Sequence, residues 1–236
     1  MVGRRRNQRP RELSYVFVVT YGRSGSTLLA GILNSIPGYL IRGENRDALH
    51  HLYLFHRTLA EEKERVGPKL GRQRVHPFYG ISDVPLDRSM SAIRQLVLDT
   101  VLRPKDDTRV TGFKEIRWYQ PDLEEYVAWL REVFPGARFV VNTRNNEDVL
   151  RSGWWAGGDH AAGLAAAEAG ILRLADSLGD AAYRVHYDDY AADPLVLRGL
   201  FDWLGEPFDE AAVREVMSKR YAAGARRPDG SGPAAG

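Results

Sequence analysis

The sequence predicts an α/β fold in which helices cover both faces of a central parallel sheet of about five strands. Two observations lead there. Five short apolar runs alternate with helical patterns, which demands right-handed crossovers. The runs at Tyr15–Thr20 (YVFVVT) and Arg138–Asn142 (RFVVN) show little alternation and are rich in β-branched and aromatic residues, as strands buried on both faces are.

The elements follow in order. Strand Tyr15–Thr20 opens the fold. A stripe of Leu28, Leu29, Ile32, Leu33 and Ile36 makes a helix that Pro37-Gly38 stops. Strand Tyr39–Ile41 comes next. The stretch Glu44–Leu102 reads as mostly helical, broken by Gly67-Pro68 and by a loop at His76–Pro85. Strand Arg109–Phe113 precedes a helix striped by Leu123, Val127, Leu130 and Phe134, with Asp122 as its N-cap and Pro135-Gly136 as its stop. After strand Arg138–Asn142, helices are expected over Glu147–Trp154 and Ala161–Ser177. Strand Ala182–Tyr187 and helices Pro194–Leu204 and Glu210–Ser218 complete the order.

Composition narrows the class. The chain has 236 residues, 44% hydrophobic and 27% charged, with no cysteine. Such a length buries a core without disulfides, and thiolate metal sites and cysteine nucleophiles are excluded. The net charge of +2 does not suggest a nucleic-acid binder. No run reaches the roughly 20 apolar residues of a membrane span, so a cytoplasmic protein is expected. A single domain is expected over residues 1–221, with residues 1–13 as a basic flexible arm and the Ala/Gly/Pro-rich residues 222–236 as a disordered tail.

Ligands of parallel sheets bind beyond the carboxyl ends of the strands. That rule selects four loops: Tyr21–Thr27, Arg42–Asn45, Lys114–Trp118 and Thr143–Asn146. In the first, Gly22 and Gly25 allow a tight turn whose N–H groups, with the dipole of the following helix, face an anion. Ser24 lies between them, Ser26 and Thr27 add hydroxyls, and Arg23 adds a planar cation suited to phosphate or sulfate oxygens. The loop lacks the Gly-Lys-Ser/Thr ending of a Walker A motif, and the run before Asp188 is broken by Arg184 and His186. In the fourth loop Arg144 follows its strand, and Ser152 comes eight residues later, so an arginine and a hydroxyl can converge on one group. Two anion sites on one sheet edge suit a ligand with phosphates at both ends.

YGRSGSTLL followed by RNNEDVLRS resembles the P-loop sulfotransferases that use 3′-phosphoadenosine 5′-phosphosulfate (PAPS), over roughly Val16 to Val216. The resemblance implies a P-loop NTPase-like three-layer fold. It implies that Gly22, Arg23, Ser24, Gly25, Ser26 and Thr27 bind the 5′-phosphosulfate and that Arg144 and Ser152 hold the 3′-phosphate. Tyr187-Asp188-Asp189-Tyr190 is similar to the family's Tyr-Glu-Asp stretch, which makes Tyr187 a candidate adenine contact. The histidine two residues after a lysine on the third strand, found in aryl and steroid members, is missing: Lys114 is followed by Glu115 and Ile116. The Gly- and Lys-containing clamp near the C-terminus has no clear copy either. Both gaps point to the branches with a glutamate after the second strand, where Glu44 stands.

The resemblance then implies sulfuryl transfer from PAPS to a hydroxyl of a small-molecule acceptor, a glycoside or secondary metabolite, leaving 3′-phosphoadenosine 5′-phosphate (PAP). Glu44 is the expected base, with Glu115 in reserve, and Arg23 and Lys114 are the expected stabilisers of developing charge. No metal, nucleic acid or membrane span is expected; a homo-oligomer is compatible. The acceptor site is expected from Asn45–Pro104 with Trp118, Tyr119, Trp154 and Trp155, and His50 could line it. Two other functions fit parts of the pattern: a P-loop nucleotide kinase, which the missing lysine and acid disfavour, and a non-catalytic nucleotide-binding protein of the same fold.

Overall fold

The computed structural model describes residues 12–152 and 160–224, with side chains described to residue 219. Most of the basic arm, Trp154, Trp155 and the tail beyond residue 224 lie outside the described residues.

Five strands, β1 (Ser14–Val19), β2 (Tyr39–Arg42), β3 (Val110–Glu115), β4 (Arg138–Thr143) and β5 (Ala182–His186), form one sheet in the order β2-β3-β1-β4-β5. Every pairing is parallel. Val19 pairs with Glu115 on one side and Val141 on the other, so the carboxyl ends of the three middle strands lie level. The loop after β1 therefore opens between those after β3 and β4.

Alternation along β1 divides the core. Tyr15, Phe17 and Val19 face α2 (Ala48–Gly71), α3 (Leu86–Val97), α4 (Leu123–Val133) and α6 (Ala161–Leu178), with Phe113, Leu130, Phe134 and Phe139 packed around them. Val16 and Val18 face α1 (Ser26–Leu33), α8 (Arg198–Leu204) and α9 (Glu210–Gly224), through Leu29, Leu33, Leu200 and Val213. Each fully buried Leu, Val or Phe contributes about 1.5–3 kcal/mol of transfer free energy. Gly112 lets β3 lie tight on β1, because a Cβ there would sit 1.7 Å from the Val16 carbonyl oxygen.

Several expectations need adjusting. α2 starts at Ala48 rather than Glu44, while its bend falls where expected, at Gly67, whose φ of 69° and ψ of 169° leave the helical region just before Pro68. A short 3₁₀ turn, Ile81–Asp83, interrupts the loop that follows. The helix expected over Glu147–Trp154 is the five-residue α5 (Asn146–Leu150), capped by the Asn145 side chain. Tyr187 ends no strand; it opens a short helix, α7 (Tyr187–Ala192). Asp122 stands at the N-cap position of α4 but gives no side-chain cap. Its carboxylate instead takes Arg57 Nη1 at 2.5 Å and His50 Nε2 at 3.1 Å. Among the described residues, no helix is long and apolar enough to cross a membrane.

Candidate active site

The glycine loop follows β1. Arg23, with φ of 69°, and Gly25, with φ of 78°, both take left-handed conformations, which fold the loop back over the start of α1. A non-glycine residue pays about 1–2 kcal/mol for that conformation. Gly25 occupies the N-cap of α1 and has no side chain to cap it; the Leu28 N–H bonds the Gly25 carbonyl at 2.9 Å, and no side chain caps the N–H groups of Ser26 and Thr27, where an anion could sit.

A buried polar network underlies the loop. The Thr20 hydroxyl contacts Ser24 Oγ at 2.6 Å and the Asn142 carbonyl oxygen at 2.7 Å. Asn142 Nδ2 donates to the Ser24 carbonyl at 3.0 Å, and the Tyr190 hydroxyl donates to Asn142 Oδ1 at 2.9 Å. Ser24 is fully buried. Its hydroxyl braces the loop from below, and its backbone is what can face a ligand. Buried, mutually satisfied groups of this kind fix one geometry.

The fourth loop touches the first. Arg144 Nη1 donates to the Arg23 carbonyl at 3.1 Å, and Arg23 Nε donates to Ser152 Oγ at 3.4 Å. The Tyr21 hydroxyl accepts from the Arg144 backbone N–H at 2.9 Å and lies 3.0 Å from Glu168 Oε1 on α6. Burial pushes the Tyr21 phenol well above its ordinary value of 10.0, so the hydroxyl keeps its proton. The Arg144 guanidinium lies over the Tyr187 ring at 4.7 Å and faces Asp188 at 3.9 Å. Tyr187 also roofs the loop, since a Cβ on Gly25 would meet its ring at 2.1 Å.

The opposite wall comes from β2 and β3. Lys114, only 6% exposed, pairs with the Glu44 carboxylate. Both line a cavity of ≈210 Å³ together with Gly22, Arg23, Gly25, Ser26, Thr27, Ile116 and Arg144. Three of the four predicted loops and Lys114 and Ile116 of the other thus meet in one space.

Glu115 stands differently. It is 3% exposed, and its carboxylate accepts the N–H groups of Asn45 at 3.0 Å, Asp47 at 3.2 Å and Ile116 at 2.8 Å. Those bonds hold the segment after Glu44, where Arg46 and Asp47 are consecutive left-handed residues. Gln120 Nε2 braces the same turn from both Asp47 oxygens at 2.8 Å. Glu115 is therefore committed to shaping the loop that carries Glu44.

The residues expected around the acceptor divide. Trp118 is buried against Phe113 and Tyr126 and belongs to the core. His50 is held by Asp122 and lies edge-on to Tyr126. Tyr119 is 61% exposed and lines a cavity of ≈400 Å³ that shares Gly22 and Ile116 with the first. Thr20, Asn142, Tyr190 and Tyr21 were missed by sequence reasoning. For Thr20 and Asn142 a signal existed, since each is a polar residue closing a buried apolar run. Tyr21 stands in the selected first loop and Tyr190 in the stretch Tyr187-Asp188-Asp189-Tyr190, but nothing local marked a role for either. Among the described residues, no cluster of three metal-ligating side chains is present.

Comparison with known proteins agrees with this architecture. The sulfotransferase domain from the Synechococcus PCC 7002 olefin synthase superposes with a TM-score of 0.50 at 20% identity, covering 87% of this chain and 78% of that one. The sulfotransferase domain from the curacin biosynthetic pathway gives 0.51 at 16% identity, covering 86% and 77%. At such identities the likeness concerns the fold alone. No curated protein matches the chain significantly. The profile of the sulfotransferase family, however, matches residues 15–210. Because that match takes in most of the chain and runs from β1 past β5, the chain belongs to the sulfotransferase family.

Proposed function

We propose that the chain transfers a sulfuryl group from PAPS to a hydroxyl of a small-molecule acceptor. The observation that carries this reading is the ≈210 Å³ cavity where the glycine loop, Arg144, Lys114 and Glu44 converge. The site's own chemistry fits a doubly anionic nucleotide. The first turn of α1 has no side-chain cap, and Arg144 Nε is buried without a hydrogen-bond partner. PAPS, when bound, supplies the sulfuryl group and a bisphosphate leaving group.

The roles follow from position. The backbone of Gly22–Thr27 and the Ser26 and Thr27 hydroxyls hold the 5′ end, while Arg144 and Ser152 hold the 3′-phosphate. Tyr187, stacked under Arg144, borders the adenine. Glu44 accepts the proton of the acceptor hydroxyl, a contribution of about 10²–10⁴-fold. Lys114, which now faces the Glu44 carboxylate, is placed to neutralise charge on the sulfuryl and bridging oxygens, with Arg23 on the other side. The family and the cavity support this reading.

The test is transfer of label from ³⁵S-PAPS to a panel of hydroxyl compounds, with PAP affinity measured by calorimetry. Transfer and PAP binding are expected; a protein that binds no PAP would refute the proposal.

A further inference from the structure

The second cavity defines what the acceptor must look like. It holds ≈400 Å³, within the range of about 300–1,000 Å³ usual for small-ligand sites. It opens beside the nucleotide cavity, with Gly22 and Ile116 belonging to both. Its other walls are Tyr21, Tyr119, Ala167, His160 and Arg117. Among the described residues that line it there is no aspartate or glutamate. Tyr119 offers a largely exposed ring, and Ile116 and Ala167 add apolar surface.

Among the described residues of that wall, Arg117 is the one permanently charged group. Its backbone is fixed by an antiparallel bridge to Tyr21, which places it against the start of the glycine loop. Its carbonyl accepts from Gln120 Nε2 at 2.6 Å. Among the described residues no carboxylate pairs with its guanidinium, whereas Arg144 across the nucleotide cavity faces Asp188. A cation held in a mostly apolar wall without an acid favours an anionic ligand, because solvent screens the pair poorly there.

We infer that the acceptor is a hydroxy acid: an apolar or aromatic body lying on Tyr119 and Ala167, a carboxylate paired with Arg117, and a hydroxyl that reaches past Gly22 and Ile116 towards Glu44. This rests on the sulfuryl-transfer reading above and deepens it. In balance, the acceptor O–H loses its proton to Glu44, the oxygen forms a bond to sulfur, and the bond from sulfur to the phosphate oxygen of PAPS breaks, releasing PAP. The acceptor carboxylate takes no part in bond making.

The experiment compares acceptors that differ only in charge: 3-(4-hydroxyphenyl)propionate with its amide, and 10-hydroxydecanoate with its amide, each assayed with ³⁵S-PAPS. The native enzyme is expected to favour the acid of at least one pair by about tenfold in kcat/KM. Arg117→Ala should abolish that preference while leaving the amide's kcat/KM within about threefold, and Arg117→Lys should keep part of it. PAP affinity should remain within about threefold in both variants, since Arg117 does not line the nucleotide cavity. Equal use of acid and amide, a preference that survives Arg117→Ala, or no transfer to either pair by a protein that binds PAP would each overturn the inference and leave the donor assignment standing. Loss of PAP binding in the native protein would remove both.

Discussion

Replacing Glu115 with Gln probes how the loop bearing Glu44 is held. The carboxylate accepts three backbone N–H groups, two at Oε2 and one at Oε1, while only 3% exposed. A glutamine has one acceptor oxygen. Turned towards Asn45 and Asp47, it presents its NH₂ to the Ile116 N–H; turned the other way, it opposes two donors. At least one buried donor loses its partner, and two donors are brought face to face. With about 1–3 kcal/mol for each buried group left unsatisfied, the expected loss is about 2–4 kcal/mol. In a domain of this size that lowers Tm by about 4–16 °C. Urea denaturation monitored by tryptophan fluorescence reads the loss directly. The left-handed Arg46 and Asp47 would then be free to relax, so turnover should fall while PAP affinity changes little. A Glu115→Gln protein within about 0.5 kcal/mol of the native one, with full turnover, would show that the carboxylate does not brace the loop.

Glu44→Gln should reduce turnover by about 10²-fold or more with PAP affinity unchanged within a few-fold, measured by steady-state kinetics beside calorimetry. Arg144→Ala should act in the opposite order, raising the PAP Kd by about 10–100-fold, because it removes the cation that spans the Arg23 carbonyl and the Tyr187 ring. Glu206 gives a pH prediction. The Arg109 guanidinium, bonded at 2.5 and 2.6 Å, holds its carboxyl below the ordinary value of 4.5. A depressed folded value means stability that is present above pH 4.5 and lost as pH falls through the folded value. Denaturation of Glu206→Gln should therefore show a deficit at pH 7 that narrows below pH 4.5; a gap independent of pH would count against the pair.

The sheet was legible because its middle strands are buried on both faces, which leaves an uninterrupted signature in YVFVVT and RFVVN. The glycine loop was legible because strand, loop and helix stand in the order the chemistry needs. The role of Glu115 was not. Sequence places it beside Lys114, where it reads as a spare base, and only the pairing of β2 with β3 brings its carboxylate to Asn45 and Asp47. The same limit hid the start of α7, since Tyr187 continues an extended run until its ring is needed over Gly25. The acceptor region was expected mainly from Asn45–Pro104. The cavity proposed above for the acceptor takes Tyr119 from the expected residues and adds Tyr21, Gly22, Ile116, Arg117, His160 and Ala167, and no local pattern marks a wall shared by three distant segments.

The roof over Gly25 has a consequence for biosynthesis. Residues 20–25 leave the ribosome well before the side chains that complete them, Asn142, Tyr187 and Tyr190, which come more than a hundred positions later. Residues 20–25 therefore cannot complete the proposed anion cradle until those later positions have been made. A nascent polypeptide halted before Tyr187 should have no nucleotide affinity, so the ligand can stabilise the finished protein but cannot template its early folding.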